Sequence, residues 1–201
     1  MTSPLRVYLV RHGETAWSLS GQHTGRTDLP LTPHGEAMAR MLATTLKGIA
    51  FTHVWTSPRL RARSTCELAG LGAKAQSDAA LAEWDYGEYE GLRTTEIHER
   101  HPGWDIWQDG CPGGEMPEAA GARADQVIAR LCTLAGPLAL FSHGQFGRVL
   151  AARWIGLPVI EGQHFAMDPA SLSLLSFEAG HPQRRVIALW NSSMRAGGHP
   201  V

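Results

Sequence analysis

The sequence predicts an α/β fold, and two observations carry that expectation. Strand-like and helix-like segments alternate along the chain. Two of the apolar runs also end in the same step, a histidine followed by glycine: Val7-Tyr8-Leu9-Val10 leads into Arg11-His12-Gly13-Glu14, and Leu138 to Phe141 leads into Ser142-His143-Gly144. The carboxyl ends of parallel strands are where open α/β sheets build their ligand sites.

In chain order, Leu5 to Val10 reads as the first strand. Thr32 offers an N-cap with Pro33 in the first turn, and Met38, Met41, Leu42 and Leu46 recur at helical spacing until Gly48. His53 to Thr56 is a short second strand. Ser57-Pro58 caps a helix running to about Gly70; it carries Arg59, with Arg61 and Arg63 expected on a solvated face. A third short strand is expected near Ala75 to Ser77. From Glu83 to Pro117 periodicity fades and Gly, Pro and Trp accumulate, so residues 84–117 read as an irregular insert, a lid or specificity loop. Pro117 to Leu134 and Phe146 to Ile155 read as helices, the first with Val127, Leu131 and Leu134 on one face. Leu172 to Phe177 and Arg185 to Trp190 close the sheet as an antiparallel edge pair. With no repeat, low-complexity tract or linker, one domain over 1–201 is expected.

Composition narrows the function. The 201 residues are 43% hydrophobic and 18% charged, ordinary for a globular chain, and suffice for one large core. A net charge of −1 provides no field for nucleic acid or an anionic membrane, so an anionic substrate must be captured by local arginines. No stretch has the length of a membrane span, and Met1 to Arg6 lacks the basic and apolar segments of a secretory signal. Cys66, Cys111 and Cys132 are odd in number and widely spaced, which argues against a disulfide framework or a structural zinc and for the cytoplasm. His98 and His101 beside Glu96 and Glu99 read as an exposed polar helix rather than a metal site. Trp84, Trp104 and Trp107 read as core or loop bases rather than a pocket mouth, and His164, His181 and His199 have no evident partner. No metal or cofactor is expected, and nothing selects between a monomer and a homodimer.

If both His–Gly strands are parallel and central, the imidazoles of His12 and His143 meet at one sheet edge. Gly13 and Gly144 would let the backbone approach a ligand. Arg59, in the first turn of a helix that also follows a strand, brings a guanidinium and free helix N–H groups towards the same point. Together with Arg11 these make an oxyanion pocket sized for phosphate.

In sequence the chain resembles the histidine phosphatase superfamily, the phosphoglycerate mutase-like fold. The resemblance rests on Arg11-His12-Gly13-Glu14-Thr15, Gly25-Arg26-Thr27-Asp28-Leu29-Pro30-Leu31-Thr32, Ser57-Pro58-Arg59-Leu60-Arg61-Ala62, Glu83-Trp84-Asp85-Tyr86-Gly87-Glu88-Tyr89-Glu90-Gly91 and Ser142-His143-Gly144, in that order. It implies a three-layer α/β/α fold with a mainly parallel sheet. It implies His12 as phosphoryl acceptor, Arg11, Arg59 and a protonated His143 as the phosphate clamp, and Glu83 as proton donor. Glu83 must carry a proton when substrate arrives and then serve as base for the hydrolytic water. Asp85, Glu88 and Glu90 are the competing carboxylates by residue type, otherwise read as solvated turn residues.

The run Ser18 to Gly25, and Trp107 to Cys111 with Gly114-Glu115, most resemble the fungal sedoheptulose-1,7-bisphosphatase branch. Ser18 stands where the family often has asparagine, and His23 where that branch usually has tyrosine. Ser18, Gln22, His23, Thr24 and Gly144 are therefore the expected substrate contacts. The insert is shorter than that of cofactor-dependent phosphoglycerate mutases and lacks their basic cluster. This tilts the reading from a mutase, the alternative, to a phosphatase on a small phosphorylated metabolite such as a sugar phosphate or bisphosphate. A phosphate-binding module without turnover is the other alternative, and the intact nucleophile and proton donor argue against it.

Overall fold

Strand β1 (Arg6–Arg11) lies inside a six-stranded sheet of order β3-β2-β4-β1-β5-β6. The computed structural model describes residues 4–193; of the segments read above, Met1 to Ser3 and His199 lie outside them. Strands β2 (His53–Thr56), β3 (Ala75–Ser77) and β4 (Pro137–Ser142) run parallel to β1, while β5 (Leu172–Glu178) and β6 (His181–Ser192) close one edge antiparallel. Both central strands are covered on both faces, which is why they read as unbroken apolar runs.

Side chains alternate across them with period two. Val7, Leu9, Leu138 and Leu140 enter one core with Val127 and Leu131 of α6 (Pro117–Leu131) and Leu150 and Trp154 of α7 (Gly144–Trp154). Val10, Ala139 and Phe141 enter the other with Leu42 and Leu46 of α2 (Pro33–Leu46) and Cys66 of α3 (Leu60–Leu68). The fold is thus a three-layer α/β/α arrangement around a mostly parallel sheet.

Four sequence expectations change. A short helix α1 (Ala16–Ser20) follows β1, closed by a reciprocal cap between Thr15 and Ser18. Helix α3 starts at Leu60 with Arg59 as its N-cap; Ser57 Oγ accepts the Arg59 N–H one step earlier, at 3.3 Å. Helix α6 ends at Leu131, and Leu134 lies beyond it. The insert is not irregular: it holds a 3₁₀ turn at Gly87–Tyr89 and helices α4 (Thr94–Arg100) and α5 (Ile106–Asp109). Each is held by a local carboxylate, Glu96 on Arg93 N–H and Asp105 on Trp107 N–H, and is too short for periodicity to reveal it.

Connections leave β1 and β4 in different directions. From β1 the chain passes through α2 to β2 beyond β4; from β4 it passes through α7 over the other face to β5 beyond β1. The adjacent carboxyl ends of β1 and β4 therefore form a topological switch point. Helix α2 braces it from behind. A Cβ on Gly13 would lie 2.5 Å from the Gly35 carbonyl oxygen, and one on Gly35 would lie 2.1 Å from that of Glu14. Gly13 thus makes room for a helix rather than for a ligand. Gly35→Ala should lower stability by about 1–3 kcal/mol through overpacking, read as a lower urea midpoint at unchanged slope.

Candidate active site

Arg11 pairs with Ser142 across the β1–β4 ladder, so the next residues, His12 and His143, emerge at the same level. Their ring centroids are 5.2 Å apart, and both rings are buried. His12 Nδ1 sits 2.7 Å from the Gly13 carbonyl oxygen. A carbonyl can only accept, so Nδ1 carries the proton and Nε2 keeps its lone pair. Burial first, then Arg61 and Arg11, push His12 well below the ordinary histidine range. The same burial, with Arg61, His12, Arg11 and Arg59, pushes His143 down as well. The protonated His143 expected from sequence is therefore not what the fold favours; its ring is neutral, with Nε2 2.7 Å from Ser57 Oγ.

Two arginines flank the pair. The Arg11 guanidinium lies over Gly144, where a Cβ would come within 3.2 Å of its Cζ, and donates to the Met167 carbonyl. Gly144 therefore admits a side chain of the protein. Arg61 corrects the expectation of a solvated face: it is completely buried. Helix α3 turns Arg61, Ala62, Thr65 and Cys66 inward, and Arg63 and Glu67 outward. Arg61 Nη1 donates to Thr27 O (3.0 Å), and Nη2 to Thr24 O (2.9 Å) and Gly25 O (3.2 Å). Thr65 Oγ1 in turn accepts the Gly13 N–H at 3.0 Å, tying α3 to the turn after His12. Arg59 is half-buried and borders a second cavity of about 380 Å³ with Arg26, Glu83, Asp85 and Arg123.

Glu83 stands between the two cavities. Its Oε1 accepts N–H groups of Trp84 (2.9 Å) and Phe146 (2.8 Å), and its Oε2 that of Gln145 (3.1 Å). The amino end of α7 thus holds a carboxylate. That of α3 does too, because Leu60 N–H donates to Asp28 at 2.6 Å. The free helix start expected for phosphate is occupied by the protein's own acids. Asp85 pairs with Arg26 and Glu88 is exposed, while Glu90 accepts the N–H groups of Gly25 and Thr27.

The main cavity, about 410 Å³, is lined by Arg11, His12 and Glu83 and by all of Ser18, Gln22, His23, Thr24 and Gly144. Most of those polar side chains already have partners within the chain. Ser18 Oγ bonds Thr15 at both N–H and carbonyl, Gln22 bonds Ser20 and the Gly91 carbonyl, and Thr24 Oγ1 donates to Gln22 O. His23 stacks on Tyr86 at 4.6 Å, and burial pushes it down to about 4, so it is a neutral aromatic wall.

Among the lining residues that escaped the sequence reading are Trp17, Tyr86 and Arg148. Arg148 spreads its guanidinium 4.7 Å over Trp107 and donates to the Gly162 and Gln163 carbonyls. Gln145 and Arg148, three apart on α7, share one helix face just beyond His143. Trp84 is core, as expected; Trp104 and Trp107 are buried yet also line the cavity. Among the described residues no three His, Cys, Asp or Glu side chains gather to hold a metal, and no helix is long and apolar enough to cross a membrane. His98 lies on the exposed side of α4, 2.8 Å from the Trp104 carbonyl oxygen.

Arg11 Nε, Arg59 Nε, Arg61 Nε and His143 Nδ1 are all buried with no hydrogen-bond partner among the described residues. Buried guanidinium N–H groups call for an acceptor, and an oxyanion supplies several at once. A neutral histidine nitrogen facing such donors, with a carboxyl group alongside, defines an enzyme site for phosphoryl-type groups.

Comparison with known proteins agrees. The model of the histidine phosphatase superfamily (branch 1) matches residues 7–192, and the chain belongs to that family and is a phosphatase by class. It is 42% identical over 199 residues to an acid phosphatase of Mycobacterium tuberculosis, covering 97% of this chain and 94% of the relative. It is 40% identical over 186 residues to sedoheptulose 1,7-bisphosphatase of Saccharomyces cerevisiae, covering 77% and 69%. A probable phosphoglycerate mutase of Klebsiella pneumoniae is 32% identical, covering 87% and 86%. The solved structure of a Mycobacterium tuberculosis open reading frame product superposes with a TM-score of 0.87 at 40% identity, over 94% of this chain and 97% of that one.

The depressed histidines make stability depend on pH. The unfolded chain binds protons at His12 and His143 below about pH 6.5, whereas the folded chain does so only much lower. Stability should therefore fall on acidification through that window, by up to roughly 1.4 kcal/mol per pH unit for each histidine. Urea midpoints between pH 7.5 and 5.5 measure this; His143→Gln should make the slope shallower.

Proposed function

We propose that this phosphatase is a metal-independent phosphomonoesterase for a small phosphorylated metabolite, a sugar phosphate or bisphosphate, working through a phosphohistidine. The observation that carries the reading is the neutral His12 facing buried cationic donors that have no protein partner. His12 Nε2 attacks phosphorus, and the P–O bond to the leaving group breaks in line. Glu83, having taken up a proton as the substrate enters, gives it to the departing oxygen. A water then loses a proton to Glu83 and attacks the phosphohistidine, returning His12 and releasing phosphate. Arg11, Arg59 and Arg61, with His143 donating from a ring nitrogen, neutralise the three equatorial oxygens of a loose transition state.

Several features support this. The cavity beside His12 has room for a sugar, and Trp17, Tyr86, Trp104 and Trp107 offer apolar faces to one. The bisphosphatase and acid phosphatase relatives favour hydrolysis, and the free thiols of Cys66, Cys111 and Cys132 suit a reducing cytoplasm. The probable mutase relatives keep a second reading in play; isomer formation dependent on added bisphosphoglycerate and faster than phosphate release would establish it.

His12→Ala should abolish phosphate release across a panel of phosphorylated metabolites while the fold persists; substantial residual turnover would overturn the mechanism. Glu83→Gln should slow turnover by about 10²–10⁴, more for alkyl than for nitrophenyl phosphates. Because His12 stays neutral well below its ordinary range, kcat/KM should not decline as pH drops through about 6.5.

A further inference from the structure

We propose that Glu90 is a positioning residue for the reaction: it holds the Thr24–Thr27 turn in the shape that seats the Arg61 guanidinium behind His12 and His143. The inference rests on the proposed role of Arg61 at the transferred phosphate.

The turn is gripped from two sides by opposite charges. Glu90 accepts its N–H groups, with both carboxylate oxygens 3.0 Å from Gly25 N and Oε1 2.9 Å from Thr27 N. Arg61 donates to its carbonyls, those of Thr24, Gly25 and Thr27. The Thr24–Gly25 peptide is held at both ends, its carbonyl by Arg61 and its N–H by Glu90, and is polarised so that each bond strengthens the other. The approach requires glycine: a Cβ on Gly25 would lie 2.9 Å from Glu90 Oε2 and 2.6 Å from the Trp84 carbonyl oxygen. Glu90 is itself fixed by its neighbour, since Gly91 donates its N–H to His23 O at 2.9 Å.

The consequence lies at Arg61. Buried charge of this kind is tolerated only with its donors paired, and the turn supplies every protein acceptor its side chain has. The guanidinium therefore sits where the turn's carbonyls put it, and they sit where Glu90 holds the intervening N–H groups. Glu90 does not itself line the main cavity, though it acts on His23, which does; coupling to Arg61 is what separates a path through the turn from one through His23. Displacing a transition-state group by about 1 Å is enough to cost roughly 10²-fold in rate.

The test is a double-variant cycle on the full chain, read by kcat for nitrophenyl phosphate and by affinity for orthovanadate. Glu90→Gln keeps the shape but replaces one acceptor oxygen by an NH₂ group. It should lower kcat by about 10–100-fold and vanadate affinity by about tenfold. In an Arg61→Met background, where no donor to the three carbonyls remains, the same change should alter either quantity by less than about twofold. Independent losses that simply multiply would overturn the proposal. If Glu90→Gln melts below the assay temperature, Glu90→Asp takes its place with the same coupling expected. Should the wild-type chain release no phosphate, the proposed function fails, and the vanadate cycle still decides the link between Glu90 and Arg61.

Discussion

Arg11 and Ser142 face each other in the parallel β1–β4 ladder, and the rest of the site depends on that register. It delivers two histidines side by side at a switch point, where the chain leaves one strand for one face and the other strand for the opposite face. A slip of one residue would turn His12 or His143 from the strand end into the wrong layer. The close fit of Gly13 against Gly35 resists such a slip, because α2 can dock only if the turn after His12 keeps its path.

Burial of positive charge is what this register makes possible. Arg11, Arg61 and both histidines share a space without bulk water, and the repulsion is relieved by leaving the imidazoles neutral rather than by pairing them with acids. Glu83, the carboxylate whose charge acts most on both arginines, ahead of Asp28 on Arg61 and Asp168 on Arg11, is held by three backbone N–H groups. Among the described residues Arg11 Nε, Arg61 Nε and His143 Nδ1 stay buried without a partner, and the proposed attack by a neutral His12 rests on that arrangement.

Much of the polar wall around this space serves the protein before it serves a ligand. Ser18 caps α1, Gln22 bonds the Gly91 carbonyl, Thr24 bonds within its loop, and Asp28 and Glu83 fill the helix starts that an isolated phosphate would otherwise seek. The rest of the cavity is an aromatic wall, with Arg148 spread over Trp107.

The sequence by itself determined the strands that end in His12 and His143, the helices with a clear apolar face, and the family to which the motifs belong. These are local or periodic signals, readable because buried strands and amphipathic helices must repeat their apolar residues. Only the tertiary structure decided which charges are buried. Arg61 and Arg63 look alike in sequence, yet two positions along a helix separate a fully buried guanidinium from an exposed one. Glu90 and Glu88 are likewise alike by type, but only the first meets the N–H groups of a turn more than sixty residues away. The roles of such residues are set by long-range packing, and that is formed only when the sheet, its helices and the insert close on one another.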